Sequence, residues 1–464
     1  MSISNPTISD PRHLSRGVVF ICALGCILAL AIGVTMPYSL LGMAGLAIVA
    51  WCFRNPVGGL TFVISLSAFV VRSTEEITPY EIAYFSLFGV VILGWGFERF
   101  ALGQPLAPTG TDRLYLWFMA ICLVSAVPAY FQGNDMLKWL RELIPFLFFI
   151  PYLVIIRSVR MVSSVKWLCL AFVAVCLSVG IVNLIEYRNN VMSAEYLWEL
   201  VAGRRAPGEP LFFTTFTVAT ILVCFEGFKG WRTLILVSLI MFCGVTLAVT
   251  FSRGYWVAAL MSLSISFLWM PGPVRRRLLL FGSMACGLAI IAVALFFGPE
   301  FFDLATVLVK RFLSIFSATV DLSLRNRMVE SEAVLEAIMM SPVWGYGLGY
   351  YYSFQPLIPT ILPTWYVHNA FLYIWLKLGL LGLATFLIWY ITVIIHGYRA
   401  YRTTGDPLMQ PLLLSMVSIM VAMIPLSITS PQFIQKDSII FLALAMGFVE
   451  ITYRGHLPFR STEA

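Results

Sequence analysis

Apolar runs of bilayer-spanning length follow one another along almost the whole chain, and no other feature restricts its fold as much. A helix crossing the hydrocarbon core needs about 20 mostly apolar residues, with ~17 tolerated. Runs that meet or approach this length lie near 17–37, 39–53, 57–71, 80–97, 114–131, 143–156 and 167–185. Others lie near 211–225, 234–250, 255–270, 278–297, 370–395, 412–428 and 439–449. Apolar residues fill these stretches in runs rather than stripes, so the solvent they face is lipid. Composition agrees: 60% of the 464 residues are apolar and 11% charged, where a soluble domain carries about 25% charged. We expect an all-α polytopic membrane protein with roughly 12–14 transmembrane helices, some short enough to tilt, re-enter or merge. The polar segment ahead of the first run is short and no small-residue cleavage site follows it, so that run reads as a retained helix.

All nine cysteines fall inside apolar runs. That placement describes neither a disulfide framework nor a metal cluster, and small-residue packing is the expected role. Lysines and arginines orient the chain. With both termini cytoplasmic, alternate loops on that side hold Arg54, Arg99, Arg157, the run Arg275-Arg276-Arg277, Arg399 and Arg454. The same arrangement leaves Arg141, Arg204, Arg205, Arg253, Arg325 and Arg327 on the periplasmic side of an inner membrane. Positive charge there works against the orienting rule; several of these residues are ordinary solvated loop charges, and a cluster of them is what an anionic ligand presented at the outer leaflet would demand. Lys377 alone sits within a membrane helix; a phosphate or an internal carboxylate would explain it, and snorkelling is the plainer alternative.

The longest hydrophilic stretch, 298–367, is expected to be one large periplasmic loop with surface helices. Within it 326–340 has a helical period, with Met328, Leu335 and Met339 on one stripe, which predicts an amphipathic helix along the membrane surface. A glycine run, Trp344-Gly345-Tyr346-Gly347-Leu348-Gly349, a Pro-rich hairpin-like stretch and Trp365-Tyr366-Val367-His368-Asn369 follow. The glycine run is not a dinucleotide fingerprint, because no strand precedes it and no βαβ unit surrounds it. It is either a tight turn or a nest of N–H groups for a phosphate.

Of four histidines, His368 alone falls on the outer side. A lone histidine is usually structural, but imidazole titrates near neutrality, as a general base must, and this one opens a helix opposite arginines. Arg253 closes a membrane helix in Phe251-Ser252-Arg253-Gly254. It either snorkels to the interface or is fixed by the short turn that follows.

Together these residues resemble the O-antigen ligase/polymerase superfamily: O-antigen ligases, Wzy-type repeat-unit polymerases and protein O-oligosaccharyltransferases. The pattern is matched by Ser252-Arg253-Gly254 at an outer helix end, by Arg327, Pro342, Gly345 and Gly347, and by His368-Asn369 ahead of Gly379 and Gly382. Order and spacing agree over roughly a third of the chain, 234–386, flanked by transmembrane helices in 1–233 and 387–464. Arg141 and Gly203-Arg204-Arg205 match outer-loop elements more loosely. Ser331 stands where many members have tryptophan, and Lys377 where many ligases have an acid.

The resemblance implies a glycosyltransferase, either an O-antigen ligase or a polymerase. Its donor would be an undecaprenyl-pyrophosphate-linked glycan and its acceptor a glycan or lipid A-core hydroxyl, with no cofactor and no nucleic acid. Arg253 and Arg327 would bind the pyrophosphate, which guanidinium holds in bidentate fashion. Arg204, Arg205, Arg141 and Arg325 would support them, with Gly345, Gly347, Asn369 and Lys377 also lining the substrate. His368 would take the acceptor proton, with inversion at the sugar. Glu330 and Glu332 are about 200° apart on a helix and cannot converge on one metal ion, so metal independence is expected. The rival is a permease for an anionic solute, but no internal repeat marks a midplane site.

Overall fold

The computed structural model describes residues 36–71, 78–103, 109–193, 208–227, 230–298, 302, 305–307, 309–310, 322–356 and 362–456. The run at 17–37 therefore lies largely outside the described residues, as do Arg204 and Arg205. The first helices are α1 (Met36–Arg54), α2 (Pro56–Val71), α3 (Pro79–Ala101), α4 (Gly110–Val124), α5 (Ala126–Phe131), α6 (Met136–Leu147), α7 (Pro151–Ser158) and α8 (Val162–Met192). There follow α9 (Glu209–Glu226), α10 (Gly230–Val249), α11 (Arg253–Trp269), α12 (Gly272–Phe297) and α13 (Leu322–Met340). A hairpin of β1 (Tyr352–Phe354) and β2 (Leu362–Thr364) precedes α14 (Ala370–Thr403), α15 (Met409–Leu426) and α16 (Lys436–Tyr453). Among the described residues eight helical segments are long and apolar enough to cross a bilayer. The chain is an all-α polytopic membrane protein.

Local chemistry starts and bends these helices. Thr78 and Glu81 close a capping box at α3, with Pro79 in the first turn, and Thr109 and Asp135 cap α4 and α6 through their side chains. Such caps satisfy amides that the first turn leaves without partners. The run expected at 143–156 is two helices, α6 and α7, joined at Pro145 and Pro151, because proline removes a ladder donor and clashes with the preceding turn. That at 114–131 likewise divides into α4 and α5 at Ser125. The Pro-rich stretch forms the antiparallel hairpin, pairing Tyr352 with Thr364 and Phe354 with Leu362.

The centre of the bundle is α15 and α16. Every residue from 437 to 452 is buried, as expected of a helix apolar on all sides. Outward-facing residues such as Leu93, Trp117 and Leu295 are exposed and present apolar surface to lipid. At the end of α14 and α16 remote from Asn369, ion pairs close the structure. Asp112 joins Arg157 at 2.6 Å and Arg454 at 2.7 Å, while Glu450 joins Arg454 at 2.8 Å and His396 at 2.7 Å.

Helix α14 is broken ten residues into its length, where Gly379 takes φ 69°, ψ −176°. The glycine run fills this break. Tyr346 N–H donates to the Leu376 carbonyl at 3.0 Å, Gly347 N–H to the Lys377 carbonyl at 2.9 Å, and Leu380 N–H to the Pro342 carbonyl at 3.0 Å. Groups freed by the break are thus satisfied by protein, the condition under which non-helical backbone survives at membrane depth. A Cβ at Gly379 would collide with the Val343 carbonyl, and one at Gly345 would lie 2.6 Å from Gly379 N. Of the two readings of the run, the tight turn is the one that its amides fit: those of Gly345, Tyr346 and Gly347 are engaged with backbone carbonyls and are not offered to a phosphate.

Candidate active site

The site lies where several helix starts meet the loop between α13 and α14. Helix α13 extends the expected helix by one turn, and its burial differs from the stripe read in the sequence. Met328, Leu335 and Met339 are its exposed side, whereas Glu330, Val334 and Ile338, four residues apart, are buried. An acid can occupy that inner stripe because both of its oxygens are bonded. Glu330 Oε2 lies 2.9 Å from His368 Nδ1 and accepts from the His368 backbone N–H at 3.1 Å. Its Oε1 accepts from the Tyr352 hydroxyl at 2.9 Å, which is also 2.9 Å from the Tyr366 carbonyl. The Glu330 side chain is 3% exposed and that of His368 40%, so the carboxylate is sealed behind a ring that faces outward.

Burial holds the Tyr352 hydroxyl well above the usual phenol range, with Glu330 adding to it. Burial likewise pushes Tyr366 up to about 12. Both therefore remain protonated near neutrality. The Tyr366 hydroxyl lies close to Gln435 and to the charges of Arg327, Glu330 and Glu209; its ring meets that of His368 edge-on at 5.1 Å. Arg327 stands three residues before Glu330, about one turn of the same helix, and Arg325 two residues further back is exposed. Arg141 places its guanidinium 5.9 Å from the centre of the Trp365 ring, a cation–π distance.

Arg253 opens α11 directly after a sharp reversal. Phe251, buried and at φ 53°, is the one non-glycine residue with positive φ among the described residues, a conformation that crowds Cβ. In the first turn of α11, the Tyr255 hydroxyl donates to Gln435 at 2.8 Å, the glutamine close to the Tyr366 hydroxyl. The turn expected from Ser252-Arg253-Gly254 thus links the Arg253 helix start to the His368 loop.

Three residues read as substrate contacts also hold the framework. Asn369 Oδ1 caps α14, accepting from Phe371 N–H at 3.0 Å and Leu372 N–H at 3.1 Å. Gly347 packs on the Ser125–Ala129 backbone. Lys377 is wholly buried and donates to Glu142 Oε1 at 3.0 Å and to the Tyr350 carbonyl. Of the ligands open to that lysine, the structure supplies the internal carboxylate. Glu142 Oε2 also accepts from Gly349 N–H at 2.6 Å.

Sequence reasoning missed Glu330, Tyr352 and Glu142. A signal for Glu330 existed: it lies one turn from Arg327 and falls on the i, i+4, i+8 stripe with Val334 and Ile338. Among the described residues no group of three His, Cys, Asp or Glu side chains could hold a metal ion.

Fold and site together define a polytopic membrane protein in which a histidine–glutamate pair stands at the start of a membrane helix. Residues 236–387 match the family model described as O-antigen ligase, a segment that runs from α10 into α14 and contains Arg253, Arg327, Glu330 and His368. Over this third of the chain the protein is similar to O-antigen ligases, which supports a glycan-processing membrane enzyme in general. No curated protein matches the chain.

Proposed function

We propose that the protein transfers a glycan from an undecaprenyl-pyrophosphate carrier to a sugar hydroxyl, as an O-antigen ligase or a repeat-unit polymerase, at the periplasmic face of an inner membrane. Both termini are then cytoplasmic. The observation that carries this reading is the outward-facing imidazole of His368, held from behind by the buried Glu330 carboxylate, which stands about one turn from Arg327 on the same helix. The acceptor hydroxyl attacks the anomeric carbon, and its proton passes to His368 Nε2. The new C–O bond forms as the bond to the pyrophosphate oxygen breaks, and one displacement inverts the sugar. Arg253 and Arg327 hold the departing anion, with Arg141, Arg204, Arg205 and Arg325 as supporting charges. An apolar groove of about 590 Å³, lined by Trp117, Phe131, Trp344 and Leu381 among others, suits the polyprenyl chain.

Glu330 spends both oxygens on protein donors and Glu332 is exposed, so neutralising the pyrophosphate falls to guanidinium rather than to a carboxylate-bound ion. Transfer is expected to persist in EDTA. Arg253→Ala and Arg327→Ala are each expected to lower transfer by about 10²–10³-fold, the cost of losing a donor to developing charge. Lysine at either position should recover little, because an ammonium is a point charge without the bidentate fork. The measurement is transfer from purified donor in nanodiscs. Native turnover in either lysine variant would remove the bidentate argument.

A further inference from the structure

A buried carboxylate beside Val334 and Ile338 is expensive unless its bonds are made, and an apolar side chain would pack there at no such cost. The way those bonds are made indicates what the carboxylate does. An ionised carboxylate only accepts, so the 2.9 Å contact from His368 Nδ1 requires the ring proton on that nitrogen. Nε2 is then left bare on the outward side. The His368 backbone N–H reaches the same oxygen at 3.1 Å, which fixes the ring's residue as well as the ring. Tyr352 fixes the carboxylate in turn. Its hydroxyl has one hydrogen and two acceptors at 2.9 Å, Glu330 Oε1 and the Tyr366 carbonyl, so the start of the hairpin is tied both to α13 and to the segment entering α14.

We propose that Glu330, oriented by Tyr352, is the positioning residue of His368, selecting the tautomer with Nδ1 protonated and balancing the imidazolium that forms when Nε2 takes the acceptor proton. This rests on His368 being the base. Three elements distant in sequence, α13, β1 and the start of α14, are thereby joined in one hydrogen-bonded relay, and the loop serves to assemble it. A proton delivered to Nε2 stays on the ring during transfer and leaves to water from the exposed side.

The test combines ring-nitrogen NMR of protein labelled with ¹⁵N-histidine and steady-state transfer in nanodiscs. The native His368 ring is expected to show Nδ1 protonated and Nε2 bare. Glu330→Gln, close in shape, should lower kcat by about 10²–10⁴-fold, the range of orienting and base contributions, with KM for donor unchanged. Tyr352→Phe should give a smaller loss of the same kind, and Glu330→Ala should abolish the tautomer preference. A native ring protonated on Nε2 would overturn the proposal whether or not any variant folds. Native kcat in Glu330→Gln, with His368→Ala inactive, would overturn it while leaving His368 as the base. An active His368→Ala enzyme would instead remove the function on which it rests.

Discussion

His368→Ala is expected to remove turnover while leaving donor binding nearly intact. General-base catalysis contributes about 10²–10⁴-fold, and a loss within that range is expected, with Glu330 Oε2 keeping its bond from the backbone N–H of residue 368. Donor binding should survive because, in the function proposed, guanidinium groups rather than the ring meet the pyrophosphate. Helix α14 should still form, since its cap is Asn369, whose side chain accepts from Phe371 and Leu372 independently of the histidine. Binding of a lipid-linked donor and transfer to acceptor, measured separately on the purified variant, distinguish the two effects. Transfer near the native rate would sink the base assignment.

Lys377→Met is expected to destabilise the protein by about 3–5 kcal/mol, the cost of breaking a buried ion pair on one side. The lysine is 0% exposed, and Glu142, which it neutralises, is 2% exposed. Without Lys377, a carboxylate is left in the membrane interior with only the Gly349 amide and its neutral neighbours. Adding Glu142→Gln should restore most of the loss, because glutamine keeps an oxygen for Gly349 N–H and carries no charge. Thermal unfolding in detergent reads both variants. A single Lys377→Met protein as stable as the native one would contradict the pair's role. Since Glu142 also holds Gly349, and Arg141 beside it reaches Trp365, the single variant should loosen the loop that carries His368.

Membrane helices were legible because spanning a bilayer needs only length and apolarity, properties of a local window. Each apolar run described in the structure, from 39–53 onward, falls on a helix. Their divisions at Ser125 and at Pro145 and Pro151 were less legible, because hydropathy averages across a kink. Arg253, Arg327 and His368 were singled out through motifs that can be read along the chain. Their partners were not, because partnership is long-range: Lys377 and Glu142 lie 235 positions apart, and His368 and Glu330 38 apart. Glu330 was weighed against Glu332 as a metal ligand, a comparison within one helix that leaves the distant histidine out of view. Glycine positions announced a tight backbone, yet the surface they meet, the break at Gly379, depends on how α14 packs against the loop.

The central claim is that this chain makes a glycosidic bond at one face of the membrane. It is tested most directly by giving the purified protein, reconstituted in sealed vesicles, a lipid-linked glycan and a sugar acceptor, and analysing the product. The account predicts a covalent glycan–acceptor product with inverted anomeric configuration, release of the lipid pyrophosphate, and no product from His368→Ala. Movement of intact lipid-linked glycan or another anionic solute across the vesicle wall, with no new glycosidic bond, would contradict it and establish the permease in its place.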